Sequence, residues 1–240
     1  MTSIEPLPVS DRGRERNTMA IKLHTTRGAS ASSVKCLVYG QAGAGKTTLI
    51  RTLPTPVVIS AEAGLLSLSD VDIPYITVAS IDDIRDAYQW LTSSEEATQF
   101  ASVAIDSLSE IAEVVLSTEK RASKDARAAY GEMQDQVASL VRSFRDVNKH
   151  IYFTAKAEKS QDQEGRLLWS PSMPGNKIGQ QLPYFFDEVL ALRVERDADG
   201  NMHRALLCDS DGLWQAKDRS GRLDTWEEPD LGKIISKVAS

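Results

Sequence analysis

Gly40-Gln41-Ala42-Gly43-Ala44-Gly45-Lys46-Thr47 fits the pattern G-x-x-x-x-G-K-[ST], with an apolar run from Val34 to Tyr39 before it and a helical-looking segment from Thr47 to Leu53 after it. Strand, loop and helix form the context in which this pattern cradles phosphate. The glycines let the backbone curl so that successive N–H groups point inward, and the helix start behind them adds partial positive charge. The loop from Gly40 through Thr47, with Thr48 beside it, is therefore expected to hold a polyphosphate. Lys46 would reach the β- and γ-phosphates and the Thr47 hydroxyl would hold Mg²⁺.

Outward from the loop the chain alternates strand and helix signals. Pro56 to Ala61 is a short β-branched run that reads as a buried parallel strand ending at Glu62. Pro74 to Val78 is a weaker strand, followed by a helix from Ile81 to Leu91 whose first turn carries Asp82 and Asp83, well placed for the helix dipole. Phe100 to Asp106 is an apolar strand ending in a carboxylate, and Leu108, Ile111, Ala112 and Val115 then recur at helical spacing. A polar, basic segment from Thr118 to Arg127 precedes a second periodic helix, from Tyr130 to about Asn148. His150 to Ala155 is the next strand. Lys156 to Gln181 reads as a long loop with a small hairpin around Gly165. Phe185 to Arg196, His203 to Cys208 and Leu213 to Ala216, separated by turn signals, suggest antiparallel hairpins, and Asp230 caps a terminal helix with Leu231, Ile234, Ile235 and Val238 as its apolar stripe. The pattern predicts an α/β fold: a mostly parallel sheet flanked by helices, closed by C-terminal antiparallel hairpins. Residues 34–240 form the core and 1–33 a flexible N-terminal tail, in which Met19 to Leu23 is a candidate strand or an arm for a neighbouring subunit. There are no internal repeats.

Composition narrows the function classes. With 240 residues and 41% hydrophobic content the chain can bury one substantial core. Its two cysteines, Cys36 and Cys208, make no disulfide framework, which points to a reducing cytoplasm and core thiols. No apolar run reaches the roughly 20 residues a bilayer span needs, so no membrane partner is expected. The net charge of −6, from 28 basic and 34 acidic residues, argues against nonspecific coating of nucleic acid while leaving room for local basic loops.

Asp106 sits at the carboxyl end of its strand, where the ligand crevice of a doubly wound sheet lies and where the loop of residues 40 to 47 also opens. It is the candidate second metal-side group with Thr47, its alternative being a helix N-cap. Many P-loop ATPases place a glutamate directly after this aspartate to orient the attacking water; here the next residue is Ser107. Glu62 is the candidate base in its stead, and Glu110 its rival.

These features resemble the RecA-like ATPases, in which the catalytic glutamate follows the second core strand and the Walker B strand ends in Asp-Ser; Ser60-Ala61-Glu62 and Ala104-Ile105-Asp106-Ser107 match. The chain resembles more closely the short phage-encoded RecA-like nucleotide-binding proteins, some of them single-strand annealing recombinases of the Sak-four type. That likeness rests on Tyr39 to Thr48, the helix of Tyr130 to Phe144, the strand into Thr154-Ala155-Lys156 and Leu182 to Val189, about residues 34 to 196. The resemblance implies a Mg²⁺-dependent ATPase in a bacterial host's cytoplasm, assembled as a ring or filament on single-stranded DNA, with a single-strand binding protein as a further partner. It puts Thr154 in the place of the residue that senses the γ-phosphate. It makes residues 118–129 and 157–181 the two DNA-binding loops, with Lys120, Arg121, Lys124, Arg127, Lys159, Arg166 and Lys177 as phosphate contacts and Trp169 as a base-stacking platform or a pin to the core. Lys156 or Lys177 would alternatively serve a neighbouring subunit's nucleotide. Glu119, Asp125, Glu158, Asp162 and Glu164 dilute those basic segments. An ATPase working on protein partners and an ATP-dependent switch with negligible turnover are the other readings. Adenine is favoured because no guanine-reading N/T-K-x-D stretch occurs.

Overall fold

Alternating burial along the central strands divides the protein into two apolar layers. In β1 (Lys35–Gly40), Leu37 and Tyr39 join one core and Cys36 and Val38 the other, the two-residue period of a strand covered on both faces. The computed structural model describes residues 33–62, 65–161 and 165–240. The N-terminal tail before Ser33, with its candidate strand Met19 to Leu23, lies outside the described residues.

After β1 the chain forms β2 (Pro56–Ser60), β3 (Tyr75–Thr77), α1 (Ile81–Ser93), β4 (Ser102–Asp106), α2 (Leu108–Ala122), α3 (Ala126–Arg145) and β5 (His150–Gln161). There follow β6 (Leu167–Pro171), α4 (Asn176–Gln181), β7 (Glu188–Arg196), β8 (Met202–Leu207), β9 (Lys217–Asp218), β10 (Trp226–Glu227) and α5 (Leu231–Ala239). The main strand order is β10-β8-β7-β1-β5-β4-β2-β3. From β7 to β3 every neighbouring pair is parallel, whereas β8 pairs antiparallel with β7 and with β10. The fold is thus the expected α/β arrangement of a mostly parallel sheet with flanking helices and antiparallel C-terminal hairpins. Helices α1, α2 and α3 cover one face; α5 and the segment after the phosphate loop cover the other.

Local chemistry sets the helix ends. Ser80 and Asp83 form a reciprocal capping box at α1, the Ser80 hydroxyl accepting from the Asp83 N–H (3.1 Å) and the Asp83 carboxylate from the Ser80 N–H (2.9 Å). Asp230 caps α5, its carboxylate accepting from the Lys233 N–H at 3.0 Å, and Leu231, Ile234 and Val238 bury the predicted stripe.

Four expectations need correction. The segment after the phosphate loop is a 3-10 helix, Thr47–Thr52. The basic segment of residues 118–129 is mostly helix: α2 runs through Ala122 and α3 begins at Ala126, where the Asp125 carboxylate accepts from the Arg127 N–H (2.9 Å). Only residues 123–125 connect them, because Lys, Arg and Ala are good helix formers and the one strong cap lies at Asp125. In the expected loop of residues 156–181 the hairpin about Gly165 is present, as β5 continues to Gln161 and pairs antiparallel with β6, but the rest is not loop: α4 follows. Leu213 to Ala216 forms no strand, Trp214 making only an isolated bridge to Trp169.

Candidate functional site

The phosphate loop leaves β1 at the centre of the sheet. Gly43 (φ 75°) and Gly45 (φ 106°) take left-handed backbone that residues with a Cβ rarely adopt. At Gly40 the constraint is space, since a Cβ would stand 2.9 Å from the Leu192 carbonyl oxygen of β7. Gln41, Ala42 and Gly43 form an exposed crest. The Lys46 ammonium donates to the loop's own carbonyls, Gly40 at 2.9 Å and Gln41 at 3.1 Å, so it lies across the mouth of the curl. Burial lowers its pKa, against the opposing charges of Asp106 and Glu62. From β5 the Tyr152 hydroxyl donates to the Lys46 carbonyl (2.8 Å), and from β8 the Arg204 Nε donates to the Ala44 carbonyl (3.0 Å).

Asp106 ends β4 and is 2% exposed. In the sheet β5 separates β4 from β1, so three strand ends meet here. The Thr47 hydroxyl donates to Asp106 Oδ2 at 2.7 Å, and the Thr154 hydroxyl of β5 donates to Oδ1. Burial pushes the Asp106 carboxyl pKa up, and these two hydroxyls work against that by stabilising the anion. The N-cap of α2 is Ser107, joined to Asp106 by a cis peptide bond. Its hydroxyl accepts from the Glu110 N–H (3.3 Å) and donates to Glu62 Oε1 (2.7 Å). Ser60 Oγ donates to the Glu62 carbonyl at 3.0 Å, so β2 and β4 together present the Glu62 carboxylate to the crevice. Glu110 is engaged elsewhere, with Oε2 2.7 Å from the Lys156 ammonium.

The hydroxyl of Thr47 and the carboxylate of Asp106 are hard oxygen donors that suit Mg²⁺. Among the described residues no group of three or more His, Cys, Asp or Glu could hold a metal.

The sequence motifs missed three contacts. Ser107 entered as the absence of a glutamate and as part of the Asp-Ser match, with no contact of its own, although a serine opening a helix signals an N-cap whose hydroxyl is free to donate elsewhere. Tyr152 and Arg204 carry no local signal, since their bonds to the loop span 106 and 160 residues.

The candidate DNA contacts are dispersed. Lys120 and Arg121 lie in the last turn of α2, Lys124 in the connection and Arg127 in the first turn of α3. The Lys120 ammonium sits over the Tyr130 ring (4.9 Å), and Arg121 Nε donates to the Ser117 carbonyl (3.2 Å). Lys159 is on β5, Arg166 just before β6, and Lys177 on α4 with a side chain outside the described residues. Trp169 is no open platform: it stacks on Trp214 (4.9 Å, 16°), with the Lys159 ammonium 5.2 Å from its ring. The Tyr39 hydroxyl donates to the carbonyls of Trp169 (3.0 Å) and Gln215 (2.7 Å), pinning the hairpin to the core. The two segments do approach each other, for a Cβ at Gly175, ahead of α4, would stand 3.3 Å from the Tyr130 ring.

Among the described residues no helix is long and apolar enough to cross a membrane. No curated protein matches the sequence. Solved structures with a similar course of chain include a KaiC-like protein from the hyperthermophilic archaeon Pyrococcus horikoshii OT3, at 14% identity and a TM-score of 0.44, over 72% of this chain and 78% of that one. Another is a prototypical ATPase from the type III secretion system of pathogenic bacteria, at 15% identity and a TM-score of 0.46, over 67% of this chain and 51% of that one. A family model described as an AAA domain (AAA_24) matches residues 32–220, which spans β1, the phosphate loop, Asp106, Thr154 and the hairpins through β9. The chain therefore belongs to the AAA-domain family.

Proposed function

We propose that the protein is a Mg²⁺-dependent ATPase that assembles on single-stranded DNA and promotes annealing or strand pairing. One observation carries the ATPase part: the phosphate loop, Asp106 and Glu62, from three separate strands, are joined through Thr47, Thr154 and Ser107 into one hydrogen-bonded set. The amides of Gly40 to Thr48 would surround the phosphates, with Lys46 leaving its two carbonyls for the β- and γ-oxygens. Thr47 and Asp106 would hold Mg²⁺, which supplies charge neutralisation at the phosphates. Glu62, oriented by Ser107, would accept a proton from water aligned on the γ-phosphate, and Thr154 would sense that phosphate through Asp106.

Support for DNA comes from the resemblance to phage annealing proteins and from the approach of the second segment, at Gly175, to Tyr130, over whose ring Lys120 of the first segment lies. The net charge of −6 favours a second reading, an ATPase or switch working on protein partners without DNA. ATP turnover measured with and without single-stranded oligonucleotide separates them: stimulation that weakens with salt supports the first, and basal turnover indifferent to DNA supports the second. Glu62→Gln should retain bound ATP while cutting turnover by about 10²-fold or more. Normal turnover in that variant removes Glu62 from the mechanism.

A further inference from the structure

Lys156 is the last residue of β5 to pair with β1, and its partner there is Gly40, the first residue of the phosphate loop. Residues two apart on a strand share a face. On this face Tyr152 bonds the Lys46 carbonyl and Thr154 bonds Asp106, so the next position along the strand, in line with the mouth of the loop, is Lys156. Its backbone is held there, because the Lys156 N–H donates to Ser109 Oγ (2.9 Å) and Ser109 Oγ donates to the Ser172 carbonyl (2.8 Å). The side chain is half-exposed and its ammonium rests on Glu110 Oε2 at 2.7 Å, an ion pair of the exposed kind that contributes little to stability. Lys46 also feels the charge of Lys156, and both feel that of Glu62. Two ammonium groups thus face one crevice, one from the loop that follows β1 and one from the adjacent strand β5, the first resting on carbonyls and the other on a carboxylate.

We propose that Lys156 is a second cation for the terminal phosphate of the nucleotide bound in its own chain, and that Glu110 is where it rests when that phosphate is absent. This deepens the ATPase reading and rests on it. Lys46 serves both diphosphate and triphosphate. Lys156 stands further along the crevice and contacts only the third phosphate, so it decides ATP against ADP. It works in cis, because the same β5 strand that carries Thr154 to Asp106 carries Lys156 to the same loop.

The test is calorimetric binding of ADP and of a non-hydrolysable ATP analogue, both with Mg²⁺, to the full chain and to K156A, K156R and E110Q. K156A should weaken the analogue about tenfold, the scale of one charge-assisted hydrogen bond, and leave ADP within about twofold. K156R should recover most of the loss, and E110Q should tighten the analogue severalfold by freeing the ammonium. Retained ADP binding shows that each variant is folded. Equal loss of both nucleotides in K156A, or loss of neither, overturns the proposal while the ATPase reading stands; failure of the wild-type chain to bind either nucleotide overturns both. A mixture of K156A with K46A chains separates cis from trans. No recovery of analogue binding is expected, and recovery would mean that Lys156 serves a neighbouring chain.

Discussion

Two carboxyl groups are buried in the sheet to the same degree, Asp106 at 2% and Glu188 at 0% exposure, and they face opposite circumstances. Asp106 ends a parallel strand, where loops and neighbouring strand ends bring hydroxyl donors to both its oxygens. Glu188 begins one: it pairs with Cys36 on β1 and with Asp218 on β9, and its oxygens face the Asp218 carboxyl and the Ser220 N–H without a hydrogen bond of ordinary geometry. Burial and the adjacent Asp218 push the Glu188 pKa from about 4.5 to about 8, so the pair is satisfied by a proton held on Glu188 and shared toward Asp218. The same side-chain chemistry under the same burial meets two hydroxyl donors at one strand end and a second carboxyl at the other. What differs is which end of the strand it occupies.

The sharpest way to break this comparison is to remove each charge in turn. Asp106→Asn should cut Mg²⁺-dependent turnover by about 10²-fold or more while the thermal midpoint moves little, since a carboxamide oxygen still accepts from Thr47 or Thr154. Unchanged turnover would take Asp106 out of the reaction. Glu188→Gln should leave nucleotide binding alone and act on stability. In the wild type the folded state holds a proton on Glu188 that the unfolded chain releases above about pH 4.5, so its contribution is complete below that pH and is lost as pH rises toward about 8. At about 1.4 kcal/mol per pKa unit the loss should amount to at most about 5 kcal/mol, read from denaturant midpoints across that window. A flat wild-type profile, or the same slope in Glu188→Gln, would deny the buried proton.

Smaller effects refine the Asp106 side. Thr154→Val removes one of two donors and should lower turnover about tenfold, with Thr154→Ser restoring it; that is the scale of a hydrogen bond to a charged group. Equal activity in the Val variant would reduce Thr154 to packing. Arg204→Ala should weaken nucleotide binding only about threefold, because an exposed guanidinium bracing one loop carbonyl contributes on the order of 0.5–1 kcal/mol.

The phosphate loop, the alternation of strand and helix and the capped terminal helix were legible because each is written in contiguous residues: glycine spacing, periodicity, and a capping side chain within three positions of its target. The basic segment of residues 118–129 was misread for a related reason. Charge along a sequence does not distinguish a loop from the solvated ends of two helices; the helix propensity of Lys, Arg and Ala and the cap at Asp125 do, and the charge obscured them. Trp169 likewise looks the same in sequence whether it awaits a base or, as here, lies against Trp214.

What the sequence determined by itself was the loop that curls around phosphate and the carboxylates available to work beside it, since both depend on local backbone freedom and on residue type. Only the tertiary structure decided how those carboxylates are held. The order β1-β5-β4-β2 places the Thr154 strand between the phosphate loop and Asp106, and the Glu62 strand beyond them. Ser107 ties Glu62 in place, Arg204 braces the loop from another hairpin, and Glu110 holds Lys156. Such contacts join residues far apart in the chain, so they exist only once the sheet has chosen its neighbours.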